Sequence, residues 1–86
     1  MRNAEKILRA LANKRRLNIV KYLDVKKGAS VGDIASAIKL SFRATSRHLN
    51  VLYIADLVAR EQVGLKVIYR IPSPRDAITK AVLDDY

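Results

Sequence analysis

The chain has 86 residues, with 17 Lys or Arg against 8 Asp or Glu, a formal charge of +9, and no cysteine. A chain this short is one small domain that buries roughly two-thirds of its unfolded surface; the charge favours a polyanion, and the missing thiols exclude disulfides and thiolate metal sites. Half the residues are hydrophobic, which excludes disorder, yet no apolar run nears the roughly 18 residues of a membrane span and no signal peptide opens the chain, so a soluble cytoplasmic protein is expected.

From Asn3, the residues Ala4, Ile7, Leu8 and Leu11 recur at helical spacing with Glu5, Lys6 and Arg9 between them, predicting a first amphipathic helix. Asn13 is placed to cap a second, whose core side is Leu17, Ile19, Val20 and Leu23. Lys14, Arg15 and Arg16 crowd its first turn, the end of the helix dipole that disfavours cations. A phosphate, an internal carboxylate, or simple solvation and salt bridging would each compensate them. Lys26-Lys27-Gly28-Ala29 reads as a loop. Ser30 with Asp33 three residues on resembles a capping box, opening a short helix through Ile34, Ala35 and Ile38. Lys39 and Leu40 then turn the chain into a longer helix, 42–55, capped by Ser41.

At about 100° per residue, Thr45, His48, Leu49 and Leu52 share one side of this last helix, and Arg43, Ser46, Arg47 and Asn50 share the other. The second side carries two guanidiniums, a hydroxyl and an amide, and no carboxylate. Those groups suit phosphate oxygens and base edges, since Arg pairs bidentately with guanine and Asn with adenine. An ordinary solvated face is the bland alternative. Two short helices joined by a tight connection, the second bearing the polar basic face, make a helix-turn-helix.

Leu57 to Gln62 and Lys66 to Ile71 read as two strands around Val63-Gly64-Leu65. A hairpin directly after a helix-turn-helix is the wing of a winged helix. Lys39 and Ser41 before the helix, and Arg60, Lys66 and Arg70 along the hairpin, are candidate contacts to a DNA backbone. Pro72-Ser73-Pro74 stops the strand, Ser73 is expected to cap a last helix with Pro74 at its first position, and Ala77, Ile78, Ala81, Val82 and Tyr86 form its apolar stripe. That stripe suits a dimer contact, packing against the first helix, or both. The expected architecture is a single domain over 1–86, mainly α with a small β-hairpin: about five helices and a two-stranded wing.

An enzyme is not expected. The one histidine, His48, stands two residues from Ser46 on the same helix, about 200° around the axis, which excludes a Ser-His dyad there. There is no Cys nucleophile and no Gly-rich phosphate loop. His48 reads instead as packing and hydrogen bonding at the edge of the core.

Three stretches resemble the ArsR family of winged-helix transcriptional repressors, over nearly the whole chain. They are Leu11-Ala12-Asn13-Lys14-Arg15-Arg16-Leu17-Asn18-Ile19-Val20; Ser46-Arg47-His48-Leu49-Asn50-Val51-Leu52 ending in Leu57-Val58, similar to the family's recognition helix; and Gly64-Leu65-Lys66-Val67-Ile68-Tyr69-Arg70-Ile71, similar to its wing. The resemblance implies a homodimer paired through the first and last helices, which singles out Ile7, Leu8, Leu11, Ile78, Ala81 and Val82. It also implies double-stranded DNA as partner, with Ser46, Arg47 and their neighbours in the major groove. Metal-sensing members carry a Cys-Val-Cys-type motif where this chain has Val31-Gly32-Asp33, and a His-containing site on the last helix, where it has Asp76, Asp84 and Asp85. No metal or cofactor is therefore expected, and no residue set specifies an effector. Asp56 stands where the family usually ends its recognition helix with Gly, and Leu65 where it has a basic residue. A winged-helix interaction module, using the apolar Tyr53 and Ile54, or a nonspecific DNA-coating protein, is the alternative reading; binding to a membrane surface is disfavoured because the apolar stripes are needed for the core.

Overall fold

In the computed structural model, residues 4–86 are described. The first helix, α1, runs Ala4–Leu11, so the expected start at Asn3 lies outside the described residues. It buries Ile7, Ala10 and Leu11 and leaves Leu8 exposed. Asn13 caps the second, α2 (Lys14–Lys26): its backbone is extended and its side chain accepts from the Arg16 amide at 3.1 Å. Such a cap is worth about 1 kcal/mol. Ile19, Val20 and Leu23 face the core as expected, with Leu17 partly buried.

Ser30 and Ser41 open the next two helices in the same manner. The Ser30 hydroxyl accepts from the Asp33 amide at 3.2 Å to start α3 (Val31–Ile38), and the Ser41 hydroxyl accepts from the Ala44 amide at 3.1 Å to start α4 (Phe42–Ile54). Both helices close with the same paired hydrogen bonds. Leu40 donates to Ala35 and Lys39 to Ser36; Leu57 donates to Leu52 and Asp56 to Tyr53. This Schellman ending puts one residue in the left-handed region, and here these are Lys39 (φ 58°) and Asp56 (φ 62°). The position that the family fills with Gly is thus left-handed here too, with Asp in it. Leu57, one step beyond, is buried with Leu52 as the hydrophobic closure of the motif.

The hairpin forms from β2 (Ala59–Val63) and β3 (Lys66–Arg70), with Val63 opposite Lys66 across Gly64 and Leu65. Gly64 has φ 63° and supplies the turn's left-handed residue. The first strand begins two residues later than expected and ends one later, at Val63; Leu57 and Val58, both 2% exposed, belong to the core. The sheet gains a third strand: β1 (Ala29–Ser30) pairs antiparallel with β3, giving the order β1-β3-β2. Two residues are too short to display a period of two, so Ala29 reads as loop and Ser30 only as the cap of α3. Gly28, with φ 148°, adopts there a backbone conformation that residues with a side chain rarely reach.

The last helix, α5, is Ala77–Asp85, not a helix capped by Ser73. The Asp76 carboxylate accepts from the Ile78 and Thr79 amides, at 2.8 and 3.3 Å, and a carboxylate at a helix N-terminus also meets the dipole favourably. Its buried side is Thr79 and Leu83, with Ile78 and Val82 partly covered, while Ala77, Ala81 and Tyr86 of the expected stripe are exposed. α5 packs against α1. Arg75 pairs with Asp24, and the Tyr86 hydroxyl donates to Asn18 at 2.6 Å, so the end of the chain is fastened to α2 as well. The core lies where these elements meet: Ile19, Ile34, Leu49 and Leu52 are fully covered, and each such side chain contributes about 1.5–3 kcal/mol.

Candidate nucleic-acid interface

The helix-turn-helix geometry follows from which side of α4 is buried. Thr45, Leu49 and Leu52 are each 0% exposed, which turns Arg43, Arg47 and Asn50 outward to solvent, with Ser46 partly covered beside them. The four expected base-reading residues therefore share one accessible face with no carboxylate among them. Ser41 and Lys39 stand exposed at its N-terminal end, where the Ser41 hydroxyl is engaged in the cap.

The hairpin cations separate. Directly opposed residues share a sheet face, so Arg60 and Gln62 lie with Tyr69 and Val67, whereas Lys66 and Arg70 lie on the reverse face with Glu61 and Val63. Glu61 pairs with Arg70 at 3.9 Å, an exposed contact of little energetic weight that still offsets part of that cation's field. Lys66 is exposed beside the fully exposed Leu65 at the tip. Arg60 turns toward α4 and stacks on Tyr53, its Cζ 3.8 Å from the ring centroid. Hydrogen bonding to Tyr69, and then the nearby Tyr53, favour its charged form further still.

Of the three cations in the first turn of α2, Arg16 is held by groups of the chain itself. Arg16 folds inward, its Nε donating to the Ala10 carbonyl at 2.5 Å and a terminal nitrogen contacting His48 Nδ1 at 3.2 Å. The carbonyls at the end of α1 carry the negative end of its dipole and so receive the cation that the start of α2 repels. Arginine only donates, so Nδ1 of His48 is an unprotonated acceptor. His48 is partly buried, and its pKa is lowered, first by burial and then by Arg16, Arg15 and Arg47. Arg16 thus joins α1, α2 and α4, a role that spacing alone does not signal because its partners are six and 32 residues away.

Of the residues expected to pair two copies, Ile7 and Leu11 are 2% and 3% exposed within a single chain, Ile78 and Val82 are partly covered, and Leu8 and Ala81 are exposed. Among the described residues no group of three or more His, Cys, Asp or Glu is placed to hold a metal, and no helix is long and apolar enough to cross a membrane.

Comparison with known proteins places this geometry. The chain superposes on reduced HlyU from Vibrio cholerae N16961 with a TM-score of 0.80 at 33% identity, over 94% of this chain and 81% of the other. It superposes on the transcriptional repressor PagR of Bacillus anthracis with a TM-score of 0.82 at 27% identity, over 98% and 92% of the two chains. The homodimeric winged helix-turn-helix DNA-binding domain of Mb0332 from Mycobacterium bovis gives a TM-score of 0.81 at 28% identity, over 92% and 70%. No curated sequence matches the chain. The family profile described as bacterial regulatory protein, arsR family, matches residues 13–60, which run from the cap of α2 through α4 to the start of the hairpin. A winged helix-turn-helix with that profile over more than half its length belongs to the arsR family of bacterial regulatory proteins.

Proposed function

We propose that the protein is a sequence-specific regulator of transcription that binds double-stranded DNA as a homodimer and acts as a repressor. The observation that carries this reading is the accessible, acid-free stripe of Arg43, Ser46, Arg47 and Asn50, set on a helix that buries Thr45, Leu49 and Leu52 on its opposite side. In this reading the stripe enters the major groove, with the Arg and Asn side chains on base edges. Lys39, Ser41, Arg60, Lys66 and Arg70 contact the backbone, which adds affinity without sequence information. The net charge of +9 supports a salt-sensitive, phosphate-directed contact. PagR is a transcriptional repressor and the Mb0332 domain a homodimer, and both support the finer assignment. Leu8 and Ala81 offer exposed apolar surface on the two terminal helices for the pairing.

The test is selection of bound sequences from a random duplex pool at near-physiological salt, with Arg43→Ala/Arg47→Ala as control. A palindromic motif with half-sites about one helical turn apart, lost in the control, is the expected result. Bulk, salt-sensitive binding without enrichment would sink the sequence-specific reading. Arg47→Ala alone is expected to weaken the selected site by about 1–3 kcal/mol.

A further inference from the structure

The recognition stripe does not stop at Asn50. Tyr53 follows Ser46 by seven residues and Asn50 by three, and Ile54 follows Arg47 by seven and Asn50 by four, so both extend the same side of α4 by one more turn. Neither is covered by the fold: Tyr53 is 38% and Ile54 55% exposed. The Tyr53 ring is not bare, because the Arg60 guanidinium lies over it at 3.8 Å. Arg60 comes from the hairpin face that carries Gln62, Val67 and Tyr69 and no acid, while Glu61 lies on the reverse face with Arg70. An acid-free helix stripe therefore runs directly into an acid-free sheet face, and the Tyr53–Arg60 stack is the junction.

Stacking by its flat face leaves the in-plane N–H donors of the guanidinium that Tyr69 does not engage available to a ligand. It also removes rotamer freedom that a free arginine would otherwise lose on meeting a ligand. We propose that Tyr53 is a positioning residue, whose ring holds Arg60 at the C-terminal end of the recognition stripe so that the guanidinium edge meets a DNA phosphate. This rests on the DNA reading above and adds to it a fixed coupling between wing and recognition helix.

The experiment is a titration of the selected duplex over a range of salt concentrations with the wild-type protein, Tyr53→Phe, Tyr53→Leu, Arg60→Ala and the Tyr53→Leu/Arg60→Ala pair. Tyr53→Phe keeps the ring and is expected to bind within about twofold of wild type, whereas Tyr53→Leu weakens binding about 2- to 5-fold, as loss of an exposed cation–π contact implies. Arg60→Ala weakens binding and lowers the log–log salt slope by about one; Tyr53→Leu lowers it in the same direction and adds nothing in the Arg60→Ala background. A Tyr53→Leu loss of equal size in both backgrounds, with the slope unmoved, would show that Tyr53 acts without Arg60 and overturn the inference. So would a Tyr53→Phe as weak as Tyr53→Leu. A wild-type protein that selects no sequence brings down the DNA reading and this inference together, and is distinguished by failing before any variant is made.

Discussion

The helix-turn-helix and the terminal pair, α1 with α5, are both short-helix packings, but they take their orientation from different contrasts. In α3 and α4 the large aliphatics Ile34, Leu49 and Leu52 are fully covered, with Thr45 beside them, and across α4 from that side Arg43, Ser46, Arg47 and Asn50 are polar. In α5 the inner positions are Thr79 and Leu83 while the outer ones include Ala77 and Ala81. A stripe read from residue type is decisive only when the two sides differ by large transfer energies, and exchanging Ala for Thr across a helix supplies almost no difference. The helix-turn-helix is thus oriented by its own residues, whereas α5 takes its orientation from the surface it meets.

This difference has measurable consequences. Leu49→Ala is expected to cost about 3–4 kcal/mol in urea unfolding, because the site is sealed on all sides. Leu83→Ala, at 7% exposure on the terminal helix, should cost less, about 2 kcal/mol. Equal costs would show that α5 is as integral to the core as α4 and would erase the contrast. The outer edge of the terminal pair is expected to behave in the opposite way. Leu8→Glu, at a position 53% exposed in one chain, should change unfolding of the dilute protein by no more than about 0.5 kcal/mol while raising the dimer dissociation constant at least about tenfold. Sedimentation across a dilution series reads the second effect; unchanged self-association would remove Leu8 from the dimer contact.

Two buried hydroxyls, one in each region, sharpen the comparison. Thr45 Oγ1 in α4 and Thr79 Oγ1 in α5 are enclosed without a hydrogen-bond partner among the described residues. Replacing either by Val keeps the shape and removes an unsatisfied polar atom, so each substitution should stabilise the protein by about 1 kcal/mol in the same unfolding assay. A loss at Thr79 with a gain at Thr45 would mean that the terminal helix uses its hydroxyl.

What the sequence showed and what it hid follow the same line. The caps Asn13, Ser30 and Ser41 and the inner faces of α2 and α4 were legible because each is a local signal: one side chain bonding an amide three residues on, or aliphatics at helical spacing. The hairpin was legible from its alternation and Gly64. The third strand was not, because pairing of Ala29 with Tyr69 is a relation across 40 residues with no local trace. The start of α5 was misplaced because Ser73-Pro74 and Asp76 are both acceptable openings in isolation, and the carboxylate, bonded to two amides, prevails. At the candidate site, the stripe of Arg43, Ser46, Arg47 and Asn50 was readable from spacing, but the division of the wing cations between two sheet faces needed the register, and the stack of Arg60 on Tyr53 needed the fold.

The smallest expected effect tests the seam between the two regions. Arg16 binds the end of α1 through the Ala10 carbonyl and α4 through His48, so the neutral imidazole is part of the joint. Burial, and the charges of Arg16 and Arg15 on α2 and Arg47 on α4, lower the pKa of His48 below histidine's ordinary 6.5. The folded protein therefore holds the His48 proton less tightly than the unfolded chain does. Below that ordinary value the unfolded state binds more protons, so the contribution is fully present above pH 6.5 and is lost as the pH falls through the lowered folded value. Urea midpoints taken from pH 8 to 5 should decline over this window in the wild-type protein. His48→Gln, whose amide oxygen can still accept from Arg16 but does not titrate, should show a flatter profile there. If the two profiles coincide, His48 protonation does not open the seam, and Arg16 holds the two regions together through the Ala10 carbonyl alone.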